Sequence, residues 1–193
     1  MPNLVVIFGP PASGKATIGH ILSQRLGYKF FHNHLTANPV AALFGWATPQ
    51  FGHVVDRVRE LLFREAASDP SIPGIVFTYV WGIDLPEDTE FMEMTSRLFE
   101  TNGGQVYFVE LFASLEARIE REGTPFRASL KPNQEDVAAA RARQVQFARQ
   151  YKMNTDGKLP LAYPHLIIDT EAMSPSDAAA KIQANFDLVQ SGV

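Results

Sequence analysis

The feature that most constrains this chain lies near its N-terminus, where an apolar run leads directly into a glycine-rich turn. Residues Leu4–Phe8 are all apolar, which is the pattern of a strand buried on both faces. The turn Gly9–Lys15 follows, and apolar residues then recur at helical spacing from Ile18 to Leu26, before Gly27. The sequence therefore predicts a strand, a tight loop and a helix in immediate succession.

The turn has the spacing G-x-x-x-x-G-K, which is typical of a loop that binds phosphate. The backbone N–H groups of such a loop wrap the anion, and glycines are needed because side chains would obstruct the approach. The helix that follows adds the positive end of its dipole, and Lys15 adds a point charge for the outer phosphates. The candidate nucleotide-binding residues are Gly9, Pro11, Ala12, Ser13, Gly14, Lys15, Ala16 and Thr17. The alternative is a plain strand-to-helix turn that binds nothing.

Four further apolar runs alternate with helical patterns along the rest of the chain. These predicted strands are Tyr28–Phe31, Gly74–Trp81, Gln105–Phe112 and His165–Asp169. Strands that alternate with helices predict an α/β fold with a parallel sheet that has helices on both faces. We expect Asn133 to cap the alanine-rich helix, with Asp136 at the third position of that helix. We also expect Ser174 to cap the last helix, with Asp177 completing a capping box.

Composition and charge narrow the classes of function. The chain has 193 residues, no cysteine and a net charge of −4, so disulfides and thiolate metal sites are excluded. No broad basic field is available, which argues against a nucleic-acid or membrane partner. The first apolar run is too short to span a membrane and lacks a basic region before it, so we expect a cytoplasmic protein.

The run Gly9–Thr17 resembles the loop of adenylate kinases, which reads Gly-Pro-Pro-Gly-Ser-Gly-Lys-Gly-Thr. With Phe31–Thr36 and Ile167–Thr170, it makes the chain similar to the P-loop kinases of the nucleoside-monophosphate-kinase-like group. That group includes adenylate, shikimate and gluconate kinases and chloramphenicol phosphotransferase. The chain looks closest to bacterial shikimate-kinase-like or AAA-family ATPase proteins of unassigned substrate.

The resemblance implies a P-loop NTPase fold with five parallel strands in the order 2-3-1-4-5 and a small lid. It implies one domain over residues 1–193, in which residues 35–68 bind the acceptor and residues 118–133 form the lid. ATP and Mg²⁺ are the implied cofactors, and the implied partner is a small-molecule acceptor. In adenylate kinases Mg²⁺ is held largely through water, so Ala16, in place of the usual Ser or Thr, implies no direct metal ligand from the loop.

The second predicted strand ends in His32-Asn33-His34, where shikimate- and gluconate-type kinases have Asp-x-Asp. Alternate strand positions share a face, so the two imidazoles are expected to point into one crevice. A neutral imidazole serves as a general base near pH 7. We therefore predict that His34 acts as the base or positions the substrate, with His32 and Asn33 beside it. Two alternatives remain: the histidines donate hydrogen bonds at a strand end, or they bind a metal with His53.

Other candidates are acidic and basic groups near the ends of the later elements. Asp84 is expected either to bind substrate and hold Mg²⁺ through water, with Thr17, or to be a turn residue. The resemblance implies an arginine-bearing lid, for which Arg118 and Arg127 are the first choices as catalytic groups, ahead of Arg121 and Lys131. The alternative is a solvated charged helix. Ligands lie outside the carboxyl ends of the strands, so the loop after Asp169-Thr170 is expected to border the adenine.

The sequence leaves both the acceptor and the activity open. The predicted acceptor segment carries Arg57, Arg59 and Arg64, and any one of them would suit a phosphate or carboxylate on the acceptor. The leading hypothesis is an ATP-dependent phosphotransferase that acts on a small molecule. A second hypothesis is a nucleotide-binding regulatory protein or ATPase without phosphotransfer to a small molecule. A third is a metal-dependent hydrolase built on His32 and His34.

Overall fold

The computed structural model describes residues 1–122 and 136–190, which form one sheet with helices on both faces. Its strands are β1 (Asn3–Phe8), β2 (Lys29–His32), β3 (Gly74–Tyr79), β4 (Val106–Phe112) and β5 (His165–Asp169). The seven helices of the described residues are α1 (Lys15–Leu26), α2 (His34–Phe44), α3 (Pro49–Ser68), α4 (Pro86–Thr101), α5 (Leu115–Arg121), α6 (Val137–Gln150) and α7 (Pro175–Asn185).

All strand pairs in the sheet are parallel, and the strand order is β2-β3-β1-β4-β5. The predicted fold class and strand order are therefore confirmed. The third predicted strand ran to Trp81, but β3 ends at Tyr79. The side chain of Trp81 is nevertheless fully buried against Phe8, which explains why the apolar pattern continued past the strand.

The alternating side chains of β1 divide the core into two layers. Val5 and Ile7 pack against side chains of α1 and α7, whereas Leu4, Val6 and Phe8 pack on the opposite face, in the cluster that includes α3 and α4. Because β1 is the central strand, every one of its residues after Asn3 is buried. The carboxyl end of β1, where the glycine-rich loop begins, is thus held from both sides.

The helix ends follow their capping signals with one correction. Ser174 caps α7 by accepting a hydrogen bond from the Asp177 backbone N–H, as predicted. The cap of α6 is Asp136, whose carboxylate accepts from the Ala138 N–H, so the prediction that Asp136 is the third helical residue is wrong. Asn133, the predicted cap, lies outside the described residues. No helix of the described ranges is long and apolar enough to cross a membrane.

The predicted acceptor segment, residues 35–68, is helical and consists of nearly all of α2 together with α3. Phe63 attaches α3 to the sheet: it is 1% exposed, and its ring centroid lies 4.9 Å from that of Phe77 and 5.3 Å from that of Phe31. Of the predicted lid, residues 118–133, only 118–122 are among the described residues.

We predict that Phe63→Ala lowers the free energy of unfolding by about 3–5 kcal/mol, because it leaves a cavity among aromatic rings. Leu61→Ala is the matched control, since Leu61 lies two residues earlier on the same helix and is 60% exposed. Its cost is expected to stay within about 0.5 kcal/mol. Urea denaturation of both variants measures the difference. Equal losses would contradict the inward placement of this helix face.

Candidate active site

The loop between β1 and α1 has a backbone that side chains strongly restrict. Gly9 (φ 134°), Ala12 (φ 60°) and Gly14 (φ 97°) all have positive φ values. A Cβ atom added to Gly9 would lie 2.4 Å from the carbonyl oxygen of Leu111 on β4. Glycine is therefore required at position 9, both because φ is positive there and because the loop backbone lies so close to β4.

Lys15 closes this loop on itself. Its Nζ donates to the carbonyl oxygens of Gly9 at 2.7 Å and Pro10 at 2.6 Å, so the ammonium group lies over the loop. The hydroxyl of Ser13 is buried and has no hydrogen-bond partner among the described residues. No side chain of the described chain caps α1, and its first turn contains no acidic residue. A positive helix end, a fixed cation and a buried hydroxyl suit a bound phosphate.

Ala16 and Thr17 lie in the first turn of α1, and both side chains are partly exposed. Ala16 offers no hydroxyl group at the position after the lysine. The sequence prediction that any loop contact to Mg²⁺ comes through Thr17 and water therefore stays a prediction.

The structure places His32, Asn33 and His34 differently from the strand model. β2 ends at His32, Asn33 already has helical backbone angles (φ −46°, ψ −37°), and His34 is the first residue of α2. The prediction that strand alternation aligns the two histidines is therefore wrong. Their rings are still neighbours, with centroids 6.3 Å apart, because the chain turns between them. Burial lowers the pKa of His32 below its ordinary value, which favours the neutral imidazole.

Arg59 is the buried arginine of the acceptor segment, whereas Arg57 and Arg64 are exposed. Its Nε donates to the Thr36 hydroxyl at 3.1 Å, and its Nη2 donates to Oδ1 of Asn33 in a short hydrogen bond. The guanidinium carbon lies 5.4 Å from the ring centroid of Tyr79 and 5.8 Å from that of Phe91. Burial lowers the pKa of Arg59, although Tyr79 and Asp56 favour its charged form. Of the three arginines that the sequence left open, only Arg59 is buried, and the choice of an acceptor-binding arginine stays a prediction.

Asp88 is a candidate that the sequence analysis did not identify. One of its carboxylate oxygens accepts from the Tyr79 hydroxyl at 2.7 Å, and the other accepts from the Gly82 N–H at 2.7 Å. Burial raises the pKa of Asp88 above its ordinary value, while both hydrogen bonds oppose that rise. Asp88 is the third residue of α4, which begins at Pro86, so in the sequence it indicated only the start of a helix. The carboxylate fixes the chain at the end of β3, next to the ring that contacts Arg59.

Asp84 is exposed, and its Oδ1 accepts from the backbone N–H of Lys152 at 2.9 Å. The Ile83 N–H donates to the Lys152 carbonyl oxygen at 2.7 Å, so two hydrogen bonds join these segments. This geometry matches the turn-residue alternative. The role of Asp84 toward substrate or Mg²⁺ stays a prediction.

Arg118 is 5% exposed on α5, and its Nε and Nη1 atoms have no hydrogen-bond partner among the described residues. Burial lowers its pKa, and the nearby Glu116 opposes that shift. Arg121 instead donates to the hydroxyl and the carbonyl oxygen of Thr170, both at 2.9 Å. Arg127 and Lys131 lie outside the described residues.

The loop after β5 is tied to the start of α5. Glu171 accepts from the Ser114 N–H at 2.7 Å and from its hydroxyl at 3.2 Å. Together with the two bonds from Arg121 to Thr170, these contacts fix the loop that was predicted to border the adenine. Four hydrogen bonds therefore join the loop after β5 to α5 and its cap residue.

A buried polar cluster supports the same end of the sheet. Glu110 on β4 accepts from Asn154 Nδ2 at 2.8 Å, from the Thr155 N–H at 2.9 Å and from the Thr155 hydroxyl in a short bond. Nε2 of His165 lies 3.1 Å from its Oε2. Burial raises the pKa of Glu110, but the close approach of His165 and the hydrogen bonds from Thr155 and Asn154 outweigh burial and hold the pKa below its ordinary value. No sequence signal links these residues, because they are far apart along the chain.

The described residues contain no group of three or more histidine, aspartate or glutamate side chains that could hold a metal ion. His53, the proposed third ligand, is exposed on α3. The metal-dependent hydrolase hypothesis therefore has no support from the part of the chain that the structure describes.

No family model matches the chain. A cytidylate kinase from Roseiflexus castenholzii is 27% identical over 106 residues, which cover 50% of this chain and 46% of the relative. The match thus spans about half the length of that curated relative.

Three solved structures are similar over nearly the whole chain. A gluconokinase from Sinorhizobium meliloti has a TM-score of 0.60 and 16% identity, with 96% of this chain and 92% of that chain covered. A sugar kinase from Janibacter has a TM-score of 0.59 and 16% identity, with coverage of 97% and 96%. A shikimate kinase from Acinetobacter baumannii has a TM-score of 0.52 and 22% identity, with coverage of 97% and 94%. These likenesses confirm the predicted resemblance to the P-loop small-molecule kinases at the level of the fold.

We predict opposite effects of glycine at two alanines of the loop. Ala12→Gly removes a Cβ from a left-handed residue and is expected to raise the free energy of unfolding by up to about 1 kcal/mol. Ala16→Gly, the control, weakens the first turn of α1 and is expected to lower it by about 0.5–1 kcal/mol. Chemical denaturation measures both variants. A loss of stability in Ala12→Gly would contradict the left-handed conformation at residue 12.

Proposed function

We propose that the chain is an ATP-dependent phosphotransferase that moves the γ-phosphoryl group of ATP to a small-molecule acceptor. The observation that carries this proposal is the glycine-restricted loop closed around Lys15, with the Nζ of that residue held by two loop carbonyl oxygens. Such a loop fixes backbone N–H groups and a cation before any ligand arrives. This preorganisation suits the phosphate chain of a nucleotide.

The residues of the loop fit ATP in chemistry as well as in shape. The uncapped start of α1 and the buried hydroxyl of Ser13 offer donors to anionic oxygens. Lys15, whose Nζ already lies over the loop, is proposed to contact the outer phosphates. When bound, ATP supplies the phosphoryl group, and Mg²⁺ supplies neutralising charge. Thr17 is the loop residue proposed to hold that ion through water, with Asp84 as the second candidate.

On the acceptor side, His34 is proposed to orient the attacking oxygen. That oxygen forms a bond to the γ-phosphorus, while the bond from the γ-phosphorus to the β,γ-bridging oxygen breaks and ADP leaves with its electron pair. If the acceptor group is a hydroxyl, its proton passes to an imidazole nitrogen of His34 and then to solvent. Burial favours the neutral form of His32, and that form adds no positive charge that would oppose this proton transfer.

Buried arginines flank the two sides of the proposed reaction. Arg118 is the proposed lid-side residue, and its Nε and Nη1, which have no hydrogen-bond partner among the described residues, suit the charge that develops on the transferring group. Arg127 is proposed to join it from the predicted lid. Arg59 holds Asn33 and Thr36 at the other side and brings a fixed positive charge to the acceptor segment. That charge favours an acceptor with an anionic group.

Two observations favour the second hypothesis, a nucleotide-binding protein without phosphotransfer. Asp84, the sequence candidate for the acidic partner of Mg²⁺, accepts a hydrogen bond from the Lys152 backbone. Ala16 also removes the usual loop hydroxyl. ATP binding in calorimetry with no ADP release on any acceptor would favour this second function.

We expect Lys15→Met to lower ATP turnover by at least about 10²-fold, because a fixed cation is lost from the phosphate site. Lys181→Met is the matched control, since Lys181 is exposed on α7 and is expected to leave turnover unchanged. Coupled ADP-release kinetics give the rates, and circular dichroism checks that both variants fold. Unchanged turnover in a folded Lys15→Met variant would overturn the assignment of the loop.

We expect His34→Asn to lower kcat by about 10²–10⁴-fold for a hydroxyl acceptor, which is the usual contribution of a general base. His53→Asn serves as control, because His53 is exposed on α3 of the same segment and is not assigned to the reaction. Calorimetric ATP affinity should be unchanged in both variants. If His34→Asn keeps more than half of kcat while His32→Asn loses activity, the base is His32.

A further inference from the structure

The turn between α2 and α3 displays an exposed indole beside the proposed base. Trp46 is 53% exposed, and its ring centroid lies 6.4 Å from that of His34 and 5.1 Å from that of Phe51. The His34 ring lies 6.3 Å from that of His32. We call these four residues, His32, His34, Trp46 and Phe51, the ring file. It extends from the end of β2 to the first turn of α3.

The backbone on both sides of Trp46 has positive φ values, and hydrogen bonds of Thr48 hold the turn. Gly45 and Ala47, on either side of it, have φ values of 74° and 58°. Glycine adopts a positive φ without steric cost, so the strain lies at Ala47. Thr48 accepts from the Phe51 N–H at 3.1 Å and donates to the Phe44 carbonyl oxygen at 3.2 Å. Strained residues cluster at binding and catalytic sites, where the surrounding structure maintains them. The exposure of Trp46 is therefore built into a defined turn.

Exposed apolar surface is concentrated in the same segment. Of the eleven large hydrophobic side chains that are exposed in the described ranges, six lie between Leu35 and Leu62. A large aromatic side chain left half in water, next to a candidate reactive group, is typical of a ligand contact. The location of this surface on the acceptor segment points to the acceptor as the ligand.

Three polar side chains near the ends of β2 and β3 are already engaged in hydrogen bonds. Oδ1 of Asn33 and the hydroxyl of Thr36 both accept hydrogen bonds from Arg59. The carboxylate of Asp88 accepts from Tyr79 and from the Gly82 N–H. A polyol would need several available polar groups to replace its bonds to water. A flat conjugated ring needs a π face instead, and the indole provides one.

We propose that Trp46 is a stacking platform for a flat, conjugated ring of the phosphoryl acceptor, whose reacting oxygen is directed toward His34. The proposal rests on the proposed phosphotransferase function and names the substrate class of that site. His34 and Phe51 contact the indole and hold its orientation. The platform selects ring-bearing acceptors over ringless sugars and sugar acids.

Binding is tested with three pairs of compounds that differ in the flat ring. The pairs are cytidine 5′-monophosphate and ribose 5-phosphate, phenyl β-glucoside and glucose, and benzyl alcohol and cyclohexylmethanol. The chain has two tryptophans, and Trp81 is fully buried, so acrylamide quenching reports mainly on Trp46. At least one ring-bearing compound is expected to shield Trp46, and its ringless partner is not.

The same compounds are then tested for ADP release. For a ring-bearing acceptor, Trp46→Leu is expected to raise KM roughly 10- to 100-fold, the size of one stacking contact, with kcat changed far less. Trp46→Phe keeps an aromatic face and is expected to restore most of the affinity. Leu43→Ala is the matched control, because Leu43 is 81% exposed on the same segment and outside the ring file.

Three results would overturn the platform. One is ADP release with a ringless compound whose KM does not change in Trp46→Leu. Another is the absence of shielding by every ring-bearing compound. The third is shielding of Trp46 that grows with protein concentration alone, which would make this face a contact between copies of the chain. If no compound releases ADP, the proposed function fails, and the quenching experiment still decides whether Trp46 binds a ring.

Discussion

The close approach of the glycine-rich loop to β4 is the constraint on which the rest of the site depends. Gly9 lies so near the Leu111 carbonyl oxygen that no side chain fits between them. This contact fixes the distance of the loop from the sheet, and the left-handed residues Ala12 and Gly14 then set its curvature. Lys15 closes the arrangement through two backbone carbonyl oxygens. The donors of the loop therefore have one orientation relative to the carboxyl edge of the sheet, as phosphate recognition requires.

Two buried guanidinium groups show how the two sides of the site differ. Arg59, on the acceptor side, has hydrogen bonds to Asn33 and Thr36 and lies against two aromatic rings, which offset the cost of its burial. Arg118, on the proposed nucleotide side, has two nitrogens without a partner among the described residues. Arg59 is thus already paired within the described chain, whereas two nitrogens of Arg118 have no partner in the part of the chain that the structure describes.

The sequence predicted the strands well and the second-strand motif less well. Continuous apolar runs mark strands that are buried on both faces, and β5 begins and ends at the predicted residues. The alternation argument at His32 failed because it extended the strand two residues too far: β2 ends at His32, the chain turns at Asn33, and His34 begins a helix. The neighbouring rings arise from that turn. No periodicity argument places two side chains across a strand-to-helix junction, where the backbone angles change between them.

By itself, the sequence determined the parallel α/β architecture and the phosphate loop, because both follow from local patterns of apolar residues, glycines and one lysine. Only the tertiary structure decided which charged and aromatic groups meet. It buried Arg59 against Asn33, joined Glu110 to a distant loop, and placed Trp46 beside His34. Those pairings join residues from different elements. They depend on how helices pack on the sheet, which the local composition of each segment does not encode.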